Sequence, residues 1–338
     1  AMKQYDALDE ISDSLNSKTD PQVLIRCGRY FIESERWSKA AQCLAFARQF
    51  EEAIEICNKH SVKLQPNVIQ ELSNIQADPK VLQRFASLCE QQGEFAIAAS
   101  LYVKLKDHVA SMKALIRSGD TSKVVKFANL IKKKETYILA ANYLATFKPR
   151  EGQQVFDTIV TLYSKAKAPD KLSRFYQASA QVEIEDYQDY EKGLELVKKA
   201  RDIIEKIENL KNKDQLMSLM NNKIDRIEKY LAAINSIKSE PKRGLQLCVE
   251  LLKSKDIENY LRTDDIYIVM VQCYVAQGNY KKAHKILEDL KNSGTDITWY
   301  MDVAAIQKIY KEVGETFDTS EIQKNEDEYE EVDDEIVE

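Results

Sequence analysis

Two stretches of the sequence decide the fold: SLCEQQGEFAIAASLYVKL at residues 87–105 and VQCYVAQGNYKKAHKILEDL at residues 271–290. Each has an apolar helical run, then a Gly, an aromatic residue two positions later and an Ala three positions after that. These shared positions are Gly93, Phe95 and Ala98 in the first stretch and Gly278, Tyr280 and Ala283 in the second. Gly closes a tight turn after a helix, and Ala lets the next helix lie close against it. The spacing therefore predicts αα-hairpins.

The aromatic-to-small step recurs elsewhere without the leading Gly, at Trp37–Ala40, Phe50–Ala53 and Tyr190–Gly193. The first unit is the most complete. Its residues occupy the Gly, aromatic, Ala, aromatic and Ala steps of the tetratricopeptide consensus in order, at Gly28, Phe31, Ala40, Leu44 and Ala47. The usual period of about 34 residues is absent, because the signatures lie at irregular intervals. The sequence predicts a tetratricopeptide-like solenoid with irregular repeats, interrupted where helices lengthen between Tyr190 and Ile237.

Composition supports an all-α chain. Only 9 Gly and 6 Pro occur in 338 residues, too few for the many turns of a sandwich, a propeller or a Rossmann-type domain. Apolar residues make up 44% of the chain, which excludes a wholly disordered protein. Pro is expected to begin helices behind an acidic capping residue at Asp20-Pro21, Asp78-Pro79 and Glu240-Pro241.

The predicted organisation has three parts. Residues 1–2 are interpreted as a cloning scar, which indicates a piece of a longer protein. Residues 3–317 form the tetratricopeptide-like α-solenoid. Residues 318–338 form an acidic C-terminal tail, which we expect to be disordered in isolation.

Charge is concentrated in that tail. Residues 321–338 contain ten acidic residues and one basic residue, Lys324, so their net charge is −9. Because the whole chain has a net charge of −6, the other residues sum to about +3. A nearly neutral body disfavours non-specific nucleic-acid binding. The tail also has apolar residues at helical spacing, and it is predicted to dock on a basic partner surface. The docking residues are predicted to be Glu328, Tyr329, Glu330, Glu331, Val332, Asp333, Asp334 and Ile336.

No pattern in the sequence predicts catalysis, a cofactor or a metal. The three His residues, His60, His108 and His284, have no partner at ligand spacing, and the six Cys lack any C-x-x-C pair. We expect reduced core thiols, and no apolar run reaches the length of a membrane span. Two basic clusters are interpreted as solvated surface: Lys132–Lys134, and the set Lys165, Lys167, Lys171 and Arg174.

One block carries a family resemblance. ASAQVEIEDYQDYEKG at residues 178–193 resembles the C-terminal helical region of the intraflagellar transport protein 140 family, which belongs to complex A of cilia. The runs ARQFEEAIEIC at 47–57, QLCVELL at 246–252 and EEVDDEIVE at 330–338 agree. In that family, WD40 propellers precede a tetratricopeptide-like solenoid.

The resemblance implies a non-catalytic scaffold that supports retrograde transport and the import of membrane cargo into cilia. The implied partners are other complex A subunits, with no small-molecule substrate, nucleic acid or direct membrane insertion. The implied location is the cilium, including axoneme and basal body, and the cytoplasm.

Two other interpretations remain open from the residues. Residues 265–294 also resemble a pentatricopeptide unit, which would indicate RNA binding, although that function requires many regular repeats and a basic groove. A vesicle-coat subunit tail would share the fold and differ in compartment.

Overall fold

The computed structural model describes residues 15–16, 18–65, 68–69, 78–147 and 152–317. Within these residues the regular structure consists of sixteen α-helices and two short 3₁₀-helices, and no strand occurs. The prediction of an all-α chain of helical hairpins is confirmed. The chain divides into two compact units, residues 1–168 and residues 169–338. A single solenoid over 3–317 stays a prediction.

The first unit contains nine of these helices, and consecutive ones pack against each other. They are α1 (Pro21–Glu33), α2 (Trp37–Phe46), α3 (Phe50–His60), α4 (Pro79–Gln91), α5 (Phe95–Lys104), α6 (His108–Arg117), α7 (Thr121–Ile131), α8 (Lys134–Leu144) and α9 (Gln153–Lys165). Here α6 also contacts α8.

The second unit contains seven, again packed in chain order, with α12 also contacting α14. They are α10 (Pro169–Glu185), α11 (Tyr190–Glu205), α12 (Lys213–Ser236), α13 (Pro241–Leu252), α14 (Thr263–Ala276), α15 (Tyr280–Asn292) and α16 (Val303–Val313). The 3₁₀-helices are Ile257–Asn259 and Ile297–Trp299. At 17, 16 and 24 residues, α10 to α12 are the longest described helices.

One turn geometry recurs between helices. A left-handed residue is followed by one capping residue, and the next helix then begins. The left-handed residues are Glu35, Arg48, Gly93, Lys106, Gly119, Lys132, Lys167, Gln188 and Gly278. At six of these turns the capping residue donates its backbone N–H to the carbonyl five residues earlier, at 2.8–3.2 Å. This is the Schellman closure, which satisfies carbonyls left unpaired at the helix end. Non-glycine residues close six of the nine turns, so the scarcity of Gly is compatible with many hairpins.

In eight of the nine following helices the residue three positions after the first is buried, whereas in α10 the corresponding Leu172 is partly exposed. The buried residues are Ala40, Ala53, Ala98, Ser111, Val124, Tyr137, Gly193 and Ala283. Ser111 and Val124 fall outside the aromatic-to-small signature because their helices begin with His108 and Thr121 where that signature has Phe, Tyr or Trp. The 13-residue step from Trp37 to Phe50 recurs from Phe95 to His108 and from there to Thr121, and this spacing could have revealed both.

The predicted helix starts at Pro are partly reproduced. Asp20 and Asp78 each accept a 2.9 Å hydrogen bond from a backbone N–H two residues on. Glu240 precedes Pro241 but makes no side-chain capping bond. Its carboxylate lies 3.5 Å from the Arg243 guanidinium instead. The prediction of a cap was wrong there, because the shorter Asp side chain suits the capping geometry and Glu does not.

Candidate interaction surfaces

The sequence-predicted repeat positions lie in the packed interior. Ala40, Ala98 and Ala283 have no exposed surface, and Ala53 is 3% exposed. Gly93 and Gly278 occupy left-handed turns with φ of 84° and 72°, where an L side chain would be strained. These residues position the hairpins and do not face a partner.

Three other glycines lie inside helices and permit close approach. A Cβ on Gly28 would lie 2.9 Å from Leu44 Cγ, and one on Gly193 would lie 2.7 Å from Ile184 Cγ1. A Cβ on Gly244 would lie 2.8 Å from Cys273 Sγ. The sequence analysis did not single out Gly244, since no aromatic residue precedes it at the signature spacing.

A groove of about 280 Å³ runs between α7 and α9 of the first unit. Val125 and Leu162 supply its apolar surface, and Thr158 and Thr161 supply hydroxyl groups. Asn129 and Lys165 line one end, while Asp157 also borders it. We call these residues the α7–α9 groove.

The structure joins the first basic cluster to part of the second at this groove. Lys165 Nζ donates a 2.8 Å hydrogen bond to Asn129 Oδ1 and lies 5.9 Å from the centre of the Tyr137 ring. Lys132–Lys134 form the exposed connection between Asn129 and Tyr137. Leu130 is 76% exposed beside them. Sequence grouped Lys165 with Lys171 and Arg174, which instead belong to α10 of the second unit.

The second unit holds a buried polar network that the sequence did not reveal. Asp265 on α14 is 4% exposed and accepts a hydrogen bond from the Tyr190 hydroxyl at the start of α11. Arg262 Nε lies 3.9 Å from the same carboxylate. Arg262 also donates to the backbone carbonyl of Glu185 and to the Tyr300 hydroxyl. Burial raises the pKa of Asp265, while the Tyr190 hydrogen bond and the charge of Arg262 oppose that shift.

Aromatic packing surrounds this network. The Tyr190 and Tyr230 rings lie 4.4 Å apart, and burial is the main cause that raises the pKa of both hydroxyls. Tyr300 follows Trp299, which is 74% exposed at the end of a 3₁₀-helix. An exposed Trp is a side chain that binding hot spots favour.

The end of the described chain is anchored on α15 and α16. The Phe317 ring lies 5.1 Å from that of Tyr310, with Lys291 Nζ 5.9 Å from its centre. Glu315 Oε2 lies 3.3 Å from His284 Nε2. The predicted docking residues of the tail follow, and they lie outside the described residues: Glu328, Tyr329, Glu330, Glu331, Val332, Asp333, Asp334 and Ile336.

The remaining chemistry is sparse. Throughout the described ranges, no three His, Cys, Asp or Glu side chains are grouped so that they could hold a metal ion. Every helix in the described part of the chain is too short or too polar to cross a lipid bilayer. His60 stacks on Trp37, with ring centres 3.7 Å apart.

Comparison with protein families gives two matches that follow one another along the chain. Residues 1–162 match the tetratricopeptide (TPR) domain of intraflagellar transport proteins 140 and 172. Residues 170–291 match the C-terminal TPR domain of intraflagellar transport protein 140. The chain belongs to the intraflagellar transport protein 140 family. Along the sequence, the first match ends at residue 162 and the second begins at residue 170, on either side of the division between the two compact units after residue 168.

Family membership fixes the general role. The TPR domains of the intraflagellar transport protein 140 family indicate a protein-interaction scaffold in intraflagellar transport, and TPR families are generally non-catalytic. The family name implies an association with cilia. The part that resembled a pentatricopeptide unit, up to residue 291, falls within the second of the two family matches.

Proposed function

We propose that this chain is a non-catalytic scaffold of intraflagellar transport complex A, and that it supports retrograde transport and the import of membrane cargo into cilia. The observation that carries the proposal is the pair of family matches, which fall one in each helical unit. Its partners are the other subunits of complex A. Its site of action is the cilium, at the axoneme and basal body, with a cytoplasmic pool.

The packing supports a scaffold role. In both units small side chains such as Ala40, Ala98 and Ala283 are buried in helix–helix contacts. Longer polar side chains lie on the outer faces of the helices. Arrays of this kind offer extended surface for partners and are built without a central catalytic pocket. Exposed apolar side chains such as Leu130 and Trp299 supply candidate anchors on these surfaces.

The acidic segment 321–338 is the proposed partner-docking element. Its net charge of −9 favours a basic surface, and Tyr329, Val332 and Ile336 share one face of a helix. Electrostatic attraction speeds such encounters and weakens with salt.

Co-purification tests the proposal. The full chain is expected to co-purify with complex A subunits and to restore the return of cargo from ciliary tips in cells that lack the endogenous protein. Deleting residues 318–338 is expected to weaken subunit binding most at low salt. Replacing the ten acids by Asn or Gln at constant length separates charge from length. If the full chain co-purifies with no complex A subunit, the proposed function is wrong.

A further inference from the structure

We propose that the α7–α9 groove binds the acidic segment 321–338 of a second copy of this chain. The inference rests on the docking role proposed for that segment and names the surface that receives it. Three properties of the described residues support it: the apolar surface of the groove, the positive charge at one of its ends, and its length.

The apolar contact that the chain leaves open lies mainly beside the groove. Val125 on α7 is partly exposed in it, whereas Leu162 on α9 is 1% exposed; Leu130, which follows the lining residue Asn129, is 76% exposed. A large apolar side chain at that exposure gains from being covered, by about 25 cal/mol per Å² of apolar area removed from water. The apolar face of an incoming helix would cover it.

Positive charge gathers at the end of the groove where α7 and α9 both terminate. Lys132, Lys133 and Lys134 are exposed and form no ion pair with any residue that the structure describes. Lys165 bonds to the Asn129 amide and not to a carboxylate. Lys132 follows the last residue of α7 and Lys165 ends α9, where cations complement the helix dipole, whereas Lys133 and Lys134 stand at the N-terminus of α8. The four positive charges together attract added carboxylates.

The opposite end of the groove carries the other sign. Asp157 borders the groove there, and its carboxylate accepts a 2.9 Å hydrogen bond from the side-chain amide of Gln153. Asp157 and Lys165 lie eight residues apart on α9, or about 12 Å along the helix axis. The two ends of the groove therefore carry opposite charges, which would orient a charged occupant.

The segment 321–338 matches the groove in charge and length. Tyr329 and Ile336, with Val332 between them, are seven residues apart, or about 10 Å along a helix, close to the length between Asp157 and Lys165. Acidic pairs flank this apolar stripe at Glu330–Glu331 and Asp333–Asp334. An amphipathic helix in an apolar groove is a common mode of peptide recognition.

When the acidic segment of one copy binds the groove of a second copy, the groove of the first copy and the acidic segment of the second remain free. The contact is thus heterologous, and further copies can add to it head to tail. The occupant follows from the chain itself, because both halves of the complementary pair belong to every copy.

Sedimentation velocity of the full chain tests the inference. Self-association is expected to rise with concentration at low salt and to weaken between about 50 mM and about 500 mM NaCl. The double variant Lys132→Glu/Lys133→Glu and the single variant Leu130→Ser should each raise the dissociation constant of the dimer at least about tenfold. The matched control Lys281→Glu/Lys285→Glu makes the same charge change on exposed α15 positions and should have little effect. Circular dichroism checks that each variant folds.

A charge swap sharpens the result. Copies with Glu330→Lys/Glu331→Lys should fail to self-associate, and mixing them with copies that carry Lys132→Glu/Lys133→Glu should restore a dimer. Carbodiimide crosslinking of an equal mixture of ¹⁵N-labelled and unlabelled chains should join Lys132 or Lys133 of one isotope to carboxylates of 321–338 of the other.

Three outcomes would overturn the inference. One is a chain that stays monomeric at every concentration, and another is self-association that the groove variants leave unchanged. The third is crosslinks from the groove that join only residues of the same isotopic label. If any of these is found while the full chain still binds complex A subunits through 321–338, the inference fails and the proposed function stands.

Discussion

Arg262 Nη1 donates a 2.9 Å hydrogen bond to the backbone carbonyl of Glu185, 77 residues earlier in the chain. This carbonyl belongs to the last residue of α10, where backbone acceptors have no intrahelical partner. The same guanidinium contacts the Tyr300 hydroxyl and faces the Asp265 carboxylate. One side chain thus ties together parts of the second unit that are distant in sequence.

Replacing Arg262 tests this tie. Arg262→Met is expected to lower the free energy of unfolding by about 2–4 kcal/mol, because it leaves the buried Asp265 carboxylate without its cation and the Glu185 carbonyl without its donor. Urea denaturation measures the change. Arg243→Met is the control, since Arg243 is exposed and its ion pair with Glu240 should contribute less than about 1 kcal/mol. Equal losses in both variants would contradict the assigned role.

Asp265 should give the second unit a specific pH dependence. Burial raises the pKa of this carboxyl above its value in the unfolded chain, which is about 3.9. Between those two pKa values the native state binds more protons, so the contribution of Asp265 to stability falls as pH rises through that window. Asp265→Asn removes the titration and keeps an oxygen acceptor for Tyr190.

The measurement is the difference in unfolding free energy between the parent and Asp265→Asn. It should shift in favour of the parent as pH is lowered from about 7 towards about 4. A difference that stays constant, or that shifts the other way, would show that this carboxyl is not held at a raised pKa.

A charged side chain in place of a buried alanine should lower the stability of the protein. Ala98→Glu and Ala283→Glu are each expected to cost more than about 3 kcal/mol, because neither site has any exposed surface to solvate a carboxylate. Ala96→Glu lies on the exposed side of the same helix as Ala98 and should change stability by less than about 0.5 kcal/mol. Thermal melting compares all three. If both buried variants melt like the parent, the tetratricopeptide alignment is wrong there.

The helix glycines should differ in their tolerance of a methyl group. Gly244→Ala would place Cβ 3.1 Å from the backbone oxygen of Ala233 as well as against Cys273, and a backbone oxygen cannot rotate away. We expect it to cost about 1–3 kcal/mol. Gly193→Ala meets chiefly the flexible Ile184 side chain and should cost less. A Gly193→Ala variant that is the less stable of the two would contradict this reasoning.

Thiol reactivity should be unequal. Cys27 is partly exposed, whereas the other five cysteines are buried. Burial raises the pKa of Cys43, Cys89 and Cys248 to about 12 and that of Cys57 to about 11, so their thiolate populations near neutral pH are small. With Ellman's reagent, one thiol is expected to react quickly in the native protein and five after unfolding. Cys27→Ser should abolish the fast phase.

The helical hairpins are predictable from local sequence patterns. Gly93, Phe95 and Ala98 act over a few residues, through a left-handed turn, a helix start and a small buried side chain, so their meaning is readable locally. The same local rules predicted the buried state of Ala283. The family was predicted from its resemblance at residues 178–193. The high negative charge of residues 321–338 follows directly from their composition.

Contacts between groups that are distant in the sequence depend on how the helices pack. Nothing near Arg262 in the sequence indicates that it bonds to Glu185 or that Tyr190 covers Asp265, because these contacts depend on how hairpins stack. Likewise, Lys132–Lys134 and Lys165 looked like two solvated clusters until helix packing placed Lys165 on Asn129. Local backbone preferences act within one or two turns of helix, whereas the hydrogen bonds from Arg262 to Glu185 and from Tyr190 to Asp265, like the groove, are created by the packing of elements that the chain order does not bring together.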